Sequence, residues 1–209
     1  IRAQLRSGLV GHWTFDGKDV TAVTTTDRSG QGNDGTKNAA IPPVLGKVGQ
    51  ALMFGGTGNR ASVLSSASTE ITTFTVSAWV KLLTNDGSFQ RILNRESHFL
   101  FGTVNGELML GTGNGAAWSC LASFGTDATL TIGKWYFVAA TQNGTQARGY
   151  INGVDVGTIS VGVGSNSNSL DIGAHSSGVQ RWVGPIDDVR MYNRVLSTAE
   201  IQQLYRMGR

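Results

Sequence analysis

The sequence predicts an all-β fold, a two-sheet antiparallel jelly-roll sandwich with one short C-terminal helix, and three observations carry that prediction. Apolar and polar residues alternate with period two in about a dozen short segments, each bounded by turn-forming residues. Two Asn-Gly dipeptides, Asn105-Gly106 and Asn152-Gly153, sit between such segments, where type I′ hairpin turns prefer that pair. A helical pattern appears only at the end, where Ser197 and Glu200 form S-x-x-E ahead of Ile201, Leu204 and Tyr205.

Residues 1–7 read as a polar N-terminal arm or linker, and residues 8–209 as a single domain. The first strand, over residues 9–15, keeps its alternation only with a shift near Gly11, the mark of a bulge. Residues 18–47 have strand character only in patches. Within them, Gly30, Gly32 and Gly35 supply turn positions in a loop running from Asp27 to Thr36. Short strands follow at 51–54 and 61–64. Residues 74–81 give the cleanest strand, with Phe74, Val76, Ala78 and Val80 on one face. Strands are further predicted at 89–93, 99–104, 107–111, 118–124, 135–142, 147–151, 154–160 and 170–172. The last strand, 186–192, would place Asp187, Val189 and Met191 on one face and Ile186, Asp188, Arg190 and Tyr192 on the other.

Size and composition narrow the functional classes. A chain of 209 residues with 40% hydrophobic content can bury a sizeable core as one β-sandwich. Its 29 glycines against three prolines fit many tight turns. The formal charge of +3 is spread along the chain with no basic run, so nucleic-acid binding has no footprint here. A pI near 9.2 is compatible with weak attraction to acidic polymers. Cys120 is the lone cysteine, which excludes an internal disulfide and a cysteine-based zinc site and reads as a buried small hydrophobe. No apolar run reaches 18 residues, so no membrane-inserted helix is expected. The chain begins with isoleucine and carries no signal-peptide pattern, as expected of a processed fragment.

Seven blocks occur in order along the chain: G-L-V-G-H-W-T-F-D at 8–16, D-R-S-G-Q-G-N-D-G-T at 27–36, G-Q-A-L-M-F-G-G at 49–56, F-T-V-S-A-W-V at 74–80, G-K-W-Y-F-V-A-A-T at 133–141, Y-I-N-G-V-D-V-G at 150–157, and I-D-D-V-R-M-Y-N-R-V-L-S-T-A-E-I at 186–201. Together they resemble the laminin-G-like, concanavalin-A-like lectin/glucanase jelly rolls, especially the bacterial LamG-like modules. The resemblance implies an exported domain, extracellular or at a cell surface. It also implies one structural calcium ion where the first strand and the glycine-rich loop meet the terminal strand. By position, the ligands would be Asp16, Asn33 or Asp34, and Asp187. Read from the residues alone, Asp16 and Asn33 serve as turn formers, and Asp187 as an arginine partner.

Catalysis finds little support. Glucanases of this superfamily carry E-x-D-x-x-E on one strand, whereas the four glutamates here, Glu70, Glu96, Glu107 and Glu200, are scattered. Adjacent Asp187 and Asp188 should point to opposite faces of a strand. A sugar site instead needs an aromatic platform and a few polar groups. Trp13, Trp79 and Trp135 lie within regular strands and read as core. Trp118 and Trp182 lie beside glycine-rich or polar loops and are the preferred platforms. Arg95 and His98, with Asn94 beside them, and His175 with Arg181 are the candidate hydroxyl or acidic-group contacts, arginine being suited to a uronate or sulfate. The expected function is thus a non-catalytic, lectin-like module whose partner is a polysaccharide or other glycan. The alternative is a structural or protein-interaction module of an adhesin, surface layer, filament or virion, packing on copies of itself or on neighbouring domains.

Overall fold

The computed structural model describes residues 4–208 except 56–57, 115–117, 163 and 165, with backbone alone at 118–120. The strands run in chain order as β1 (Leu9–Trp13), β2 (Thr24–Thr25), β3 (Gly35–Lys37), β4 (Pro43–Leu45), β5 (Gln50–Phe54) and β6 (Ala61–Val63). They continue as β7 (Phe74–Lys81), β8 (Phe89–Arg95), β9 (Phe99–Val104), β10 (Glu107–Gly113) and β11 (Trp118–Ser123). The last are β12 (Trp135–Gln142), β13 (Gln146–Ile151), β14 (Val154–Ser160), β15 (Leu170–Ile172) and β16 (Gly184–Tyr192), followed by helix α1 (Thr198–Met207). Two eight-stranded antiparallel sheets result. The first is ordered β14-β13-β12-β7-β16-β5-β4, with β1 also pairing β16; the second is ordered β11-β10-β9-β8-β15-β6-β3-β2.

One core fills the space between the sheets. Phe74, Val76, Ala78 and Val80 of β7 face Phe99, Phe101, Leu108 and Leu110 of the second sheet across it, with Trp13, Phe15, Leu52 and Phe54 in the same cluster. Both Asn-Gly turns adopt positive φ at both residues, 51° and 79° at Asn105-Gly106 and 52° and 79° at Asn152-Gly153, as type I′ hairpins require. The three strands with no sequence signal, β2 to β4, are two or three residues long.

Bulges decide which side chains face out. The register shifts between Leu9 and Gly11 in β1, as the broken alternation predicts. A second shift, between Arg91 and Leu93, sends both Ile92 and Leu93 into the core. A third falls between Asp187 and Arg190, with Asp188 at φ 47°. It corrects the alternation predicted for β16: Ile186, Val189 and Met191 enter the core, and Asp187 and Asp188 no longer lie on opposite faces. His12 and Arg190 both hold Asp188 Oδ1, at 2.6 and 3.1 Å.

The outer face of the first sheet is covered by α1, whose Ile201 and Leu204 pack with Trp79, Phe137, Tyr150 and Tyr192. Residues Gln4–Arg6 form a 3-10 turn, and Leu5 joins the same cluster. The helix begins with the reciprocal cap that its sequence predicts. Ser197 Oγ accepts the Glu200 N–H, and Glu200 Oε2 accepts the Ser197 N–H at 2.8 Å. Arg194 reaches the same carboxylate at 2.7 Å, which together with the cap holds its pKa down at about 2. This stabilisation is present above the ordinary glutamate pKa and is lost as pH falls toward 2. Glu200→Ala should therefore cost about 1–2 kcal/mol at neutral pH, with the difference from the parent chain shrinking as melts are taken from pH 5 to pH 2. A constant difference over that range would contradict the assigned charge.

Candidate functional site

Cross-strand register builds one row over the outer face of the second sheet. Thr36 pairs Ser62, Ser62 pairs Asp171, Asp171 pairs Asn94, Asn94 pairs Leu100, Leu100 pairs Gly111 and Gly111 pairs Leu121. Their strand neighbours Ala61, Val63, Leu170, Ile172, Leu93, Phe99, Phe101 and Leu110 belong to the inter-sheet core, so this row faces away from it. Its first half is polar and its second half apolar.

A depression of about 300 Å³ lies here, lined by Phe89, Arg91, Leu100, Leu121, Glu96, His175, Val179 and Gln180. The segment 173–182 is pinned beside it, since the Arg91 N–H donates to the Gln180 carbonyl and the Trp182 N–H to that of Gly173. Arg91 organises the polar side. Its Nε and Nη2 donate to Gln180 Oε1, and its Nη1 to Asn94 Oδ1 at 2.6 Å and to Glu96 Oε2 at 3.0 Å. Glu96 Oε2 also lies 2.8 Å from His175 Nε2. Because His175 Nδ1 accepts the Ser177 N–H, the Nε2 carries the ring proton and donates to Glu96. Behind them Asp171, buried, accepts from Ser62 Oγ and faces Arg60 at 3.6 Å, while burial raises its carboxyl pKa. Among the described residues, Asn94 Nδ2 and Asp171 Oδ2 have no hydrogen-bond partner. Leu121 and Val179 stay 48% and 54% exposed, so an apolar lip borders the charged cluster. Apolar walls with a few convergent polar groups are what a small-ligand site needs. The larger depression, about 510 Å³ between Leu5, Leu9 and Met207, is flanked by charges that hold the fold, Arg28 on Asp19 and Arg190 on Asp188.

Of the residues predicted to bind sugar, His175 is the one among the described residues that lines this groove. Trp182 is a correction: it is fully buried in the core and has no open ring face for stacking. Arg95 and His98 are corrected likewise, because the β8 bulge turns Asn94 outward and Arg95 inward. Arg95 donates to Ser65 Oγ, Thr69 Oγ1 and the Asn166 carbonyl, and burial lowers its pKa to about 10. His98 packs edge-on against Phe74 and Phe99, and burial lowers its pKa to about 4. Arg181 turns away to the Gly55 carbonyl. The Trp118 side chain lies outside the described residues, although its strand, β11, also carries Leu121. Arg91, Glu96 and Gln180 carry no local sequence signal; the apolar pair Ile92-Leu93 was the one hint that the phase of β8 changes.

The predicted calcium ligands divide between two places. Asn33 is buried and committed to the fold: its Nδ2 donates to the Val10 carbonyl and Ser68 Oγ, and its Oδ1 accepts from Ser66. Asp34 Oδ1 accepts the Asp27 N–H. Asp27 closes the glycine-rich loop by accepting the N–H groups of His12, Ser29 and Asn33.

Asp16 and Asp187 instead share the turn joining β4 to β5. Asp187 Oδ2 accepts the Lys47 and Val48 N–H groups at 2.8 Å, and Asp16 Oδ1 accepts that of Gln50 at 3.0 Å. A Cβ at Gly46 would stand 2.6 Å from Asp187 Oδ2, and one at Gly49, whose φ is 70°, would meet Asp16 Oδ1, so glycine is required at both. Asp187 Oδ1 is buried without a partner among the described residues, and burial, with Asp188 and Asp16 nearby, pushes this carboxyl up to about 7. An orphaned, buried carboxylate oxygen beside a second carboxylate and a tight glycine turn fits a hard cation. Among the described residues no three His, Cys, Asp or Glu side chains converge, so further ligands would have to be carbonyls or water.

Two eight-stranded sheets around a single core, closed by one helix, define a jelly-roll sandwich of the lectin type. The chain belongs to the concanavalin A-like lectin/glucanases superfamily, whose Laminin_G_3 model matches residues 55–202. Solved structures of the same fold include domain 4 of AbnA, an extracellular GH43 arabinanase of Geobacillus stearothermophilus, in complex with arabinotriose. It is 21% identical, with a TM-score of 0.74, over 95% of this chain and 98% of that one. The binding domain of Paraclostridial Mosquitocidal Protein 1 is 18% identical with a TM-score of 0.75, over 98% of this chain and 53% of that one. The binding domain of Botulinum neurotoxin DC in complex with SialylT is 17% identical with a TM-score of 0.70, over 98% of this chain and 52% of that one. The chain thus spans about half of each toxin binding domain. No curated protein sequence matches it. Among the described residues no helix is long and apolar enough to cross a membrane.

Proposed function

We propose that the protein is a non-catalytic, extracellular carbohydrate-binding module that captures a glycan in the outer-face groove and holds one calcium ion at Asp16 and Asp187. The observation that carries the reading is the groove itself, where an apolar floor and lip meet Arg91, Glu96, His175 and Gln180 in fixed geometry. Leu100, Leu121 and Val179 offer surface to the C–H faces of a sugar ring, and the polar cluster offers hydrogen bonds to its hydroxyls. Binding would hold an attached enzyme or cell surface close to a polymer, a gain in local concentration without a chemical step. A non-catalytic role agrees with the state of the paired aspartates. The β16 bulge brings Asp187 and Asp188 to one side, but Asp187 is fully buried and Asp188 is held by His12 and Arg190, so neither meets a substrate. The arabinotriose complex of AbnA domain 4 and the SialylT complex of the toxin domain are consistent with a glycan partner for this fold.

Affinity electrophoresis in gels containing polysaccharide, with calcium and with chelator, tests the reading. Leu121→Arg places a long charged side chain at a half-exposed position and should weaken retardation at least roughly tenfold while leaving the melting temperature within about 2 °C. Undiminished binding by that variant would move the site elsewhere on the surface.

A further inference from the structure

We infer that the groove, read as a glycan site, selects neutral oligosaccharides and rejects glycans bearing carboxylate, sulfate or phosphate groups. The pI near 9.2 and the candidate arginines favour acidic polymers; the placement of charge in the groove favours neutral ones. Every ion in or behind the groove already has its opposite. Arg91 faces Glu96 at 3.0 Å, and Arg60 faces Asp171 at 3.6 Å. All three guanidinium nitrogens of Arg91 are committed, two to Gln180 and one to Asn94 and Glu96. His175 faces Glu96 through Nε2, while its Nδ1 accepts the Ser177 N–H. Of the arginines next to these residues in sequence, Arg181 is directed at the Gly55 carbonyl and Arg95 is buried against Ser65, Thr69 and Asn166.

An acidic sugar entering here would meet Glu96 with no uncommitted cation to offset the repulsion, and would have to break the Arg91 fork to obtain one. A neutral sugar meets no such cost. Its hydroxyls both donate and accept, so they match a lining that contains a carboxylate, an amide and an imidazole, and its ring face covers Leu100, Leu121 and Val179.

The inference rests on the groove being the glycan site, and the experiment separates the two. Calorimetric titrations of the calcium-loaded chain with a neutral oligosaccharide panel and a matched uronate, sialylated and sulfated panel, each at low and high salt, give the first readout. Saturable binding confined to neutral ligands, with an affinity that changes less than about twofold with salt, is the expected result. Preference for an acidic ligand with strongly salt-weakened binding overturns the selectivity while leaving the groove as a glycan site. Binding to neither panel removes the glycan reading itself. Glu96→Gln supplies a gain of function that misfolding cannot imitate. Removing its charge takes away the carboxylate paired with Arg91 and the repulsion it exerts on an anion, so affinity for acidic ligands should rise roughly tenfold or more. Continued rejection of acidic ligands by Glu96→Gln would overturn the electrostatic basis of the selectivity.

Discussion

Trp182→Ala is expected to destabilise the domain by about 3–5 kcal/mol, the cost of removing a large aromatic side chain from a packed interior. Trp182 is fully buried within the cluster that joins the two sheets, and its backbone N–H donates to the Gly173 carbonyl beside the groove. A loss of that size consumes much of the stability of an ordinary domain. The variant should therefore melt far below the parent chain or fail to accumulate, and any loss of glycan binding will follow from unfolding. Trp182→Phe provides the control. The indole N–H has no partner among the described residues, so phenylalanine removes an unsatisfied buried donor and part of the ring volume together, and the cost should fall to about 1–2 kcal/mol. A Trp182→Ala protein that melts like its parent but no longer binds glycan would restore Trp182 to the role of an exposed platform and contradict the burial described.

The contrast between Trp182 and Glu200 shows where a sequence is legible. The S-x-x-E cap, the two Asn-Gly turns and the period-two faces of β7 are local devices. The hydrogen bonds of the cap and the turns close within a few residues, and the faces of β7 follow from unbroken alternation along one strand, so the order of residues is enough to predict them. The outward or inward sense of a residue beyond a bulge depends instead on pairing with a strand far away in sequence. The shift between Arg91 and Leu93 is set by pairing with β9 and leaves Asn94 outside and Arg95 inside. The shift between Asp187 and Arg190 is set against β7 and brings together two carboxylates that strict alternation would separate. Polar character misled for the same reason. Arg95 and His98 look like surface residues, but burial of the first is offset by three acceptors from two distant loops, none visible in the local sequence. The family blocks single out Asp16 and Asp187, and the structure sets both against one turn. The blocks could not tell that Asn33, from an equally well matched block, was already occupied by Val10, Ser66 and Ser68.

Calcium is expected to raise the melting temperature, and Asp187→Asn to abolish that response while making the chelated protein more stable than its parent. The two halves of the prediction share one cause. In the absence of a cation, Asp187 holds an unpartnered oxygen in the interior beside Asp16 and Asp188, so its ionised form is disfavoured. Keeping that charge at pH 8, against a value raised from 3.8 to about 7, costs on the order of 4 kcal/mol. Asparagine keeps an acceptor for the Lys47 and Val48 N–H groups and carries no charge, so it relieves the cost. A bound cation relieves the same cost in the parent. At a calcium concentration one hundred times its Kd the gain is about 2.7 kcal/mol, or roughly 5–10 °C for a chain of this size. Thermal melts of both proteins at pH 8, in calcium and in chelator, separate the possibilities. If calcium left the parent chain unmoved and Asp187→Asn were destabilising in chelator, Asp187 would be a structural acceptor for the β4–β5 turn and no metal would belong there. A rise confined to the parent chain, with the order of the two proteins reversed in chelator, would place the cation at Asp187, because simple removal of a turn contact cannot stabilise the metal-free fold.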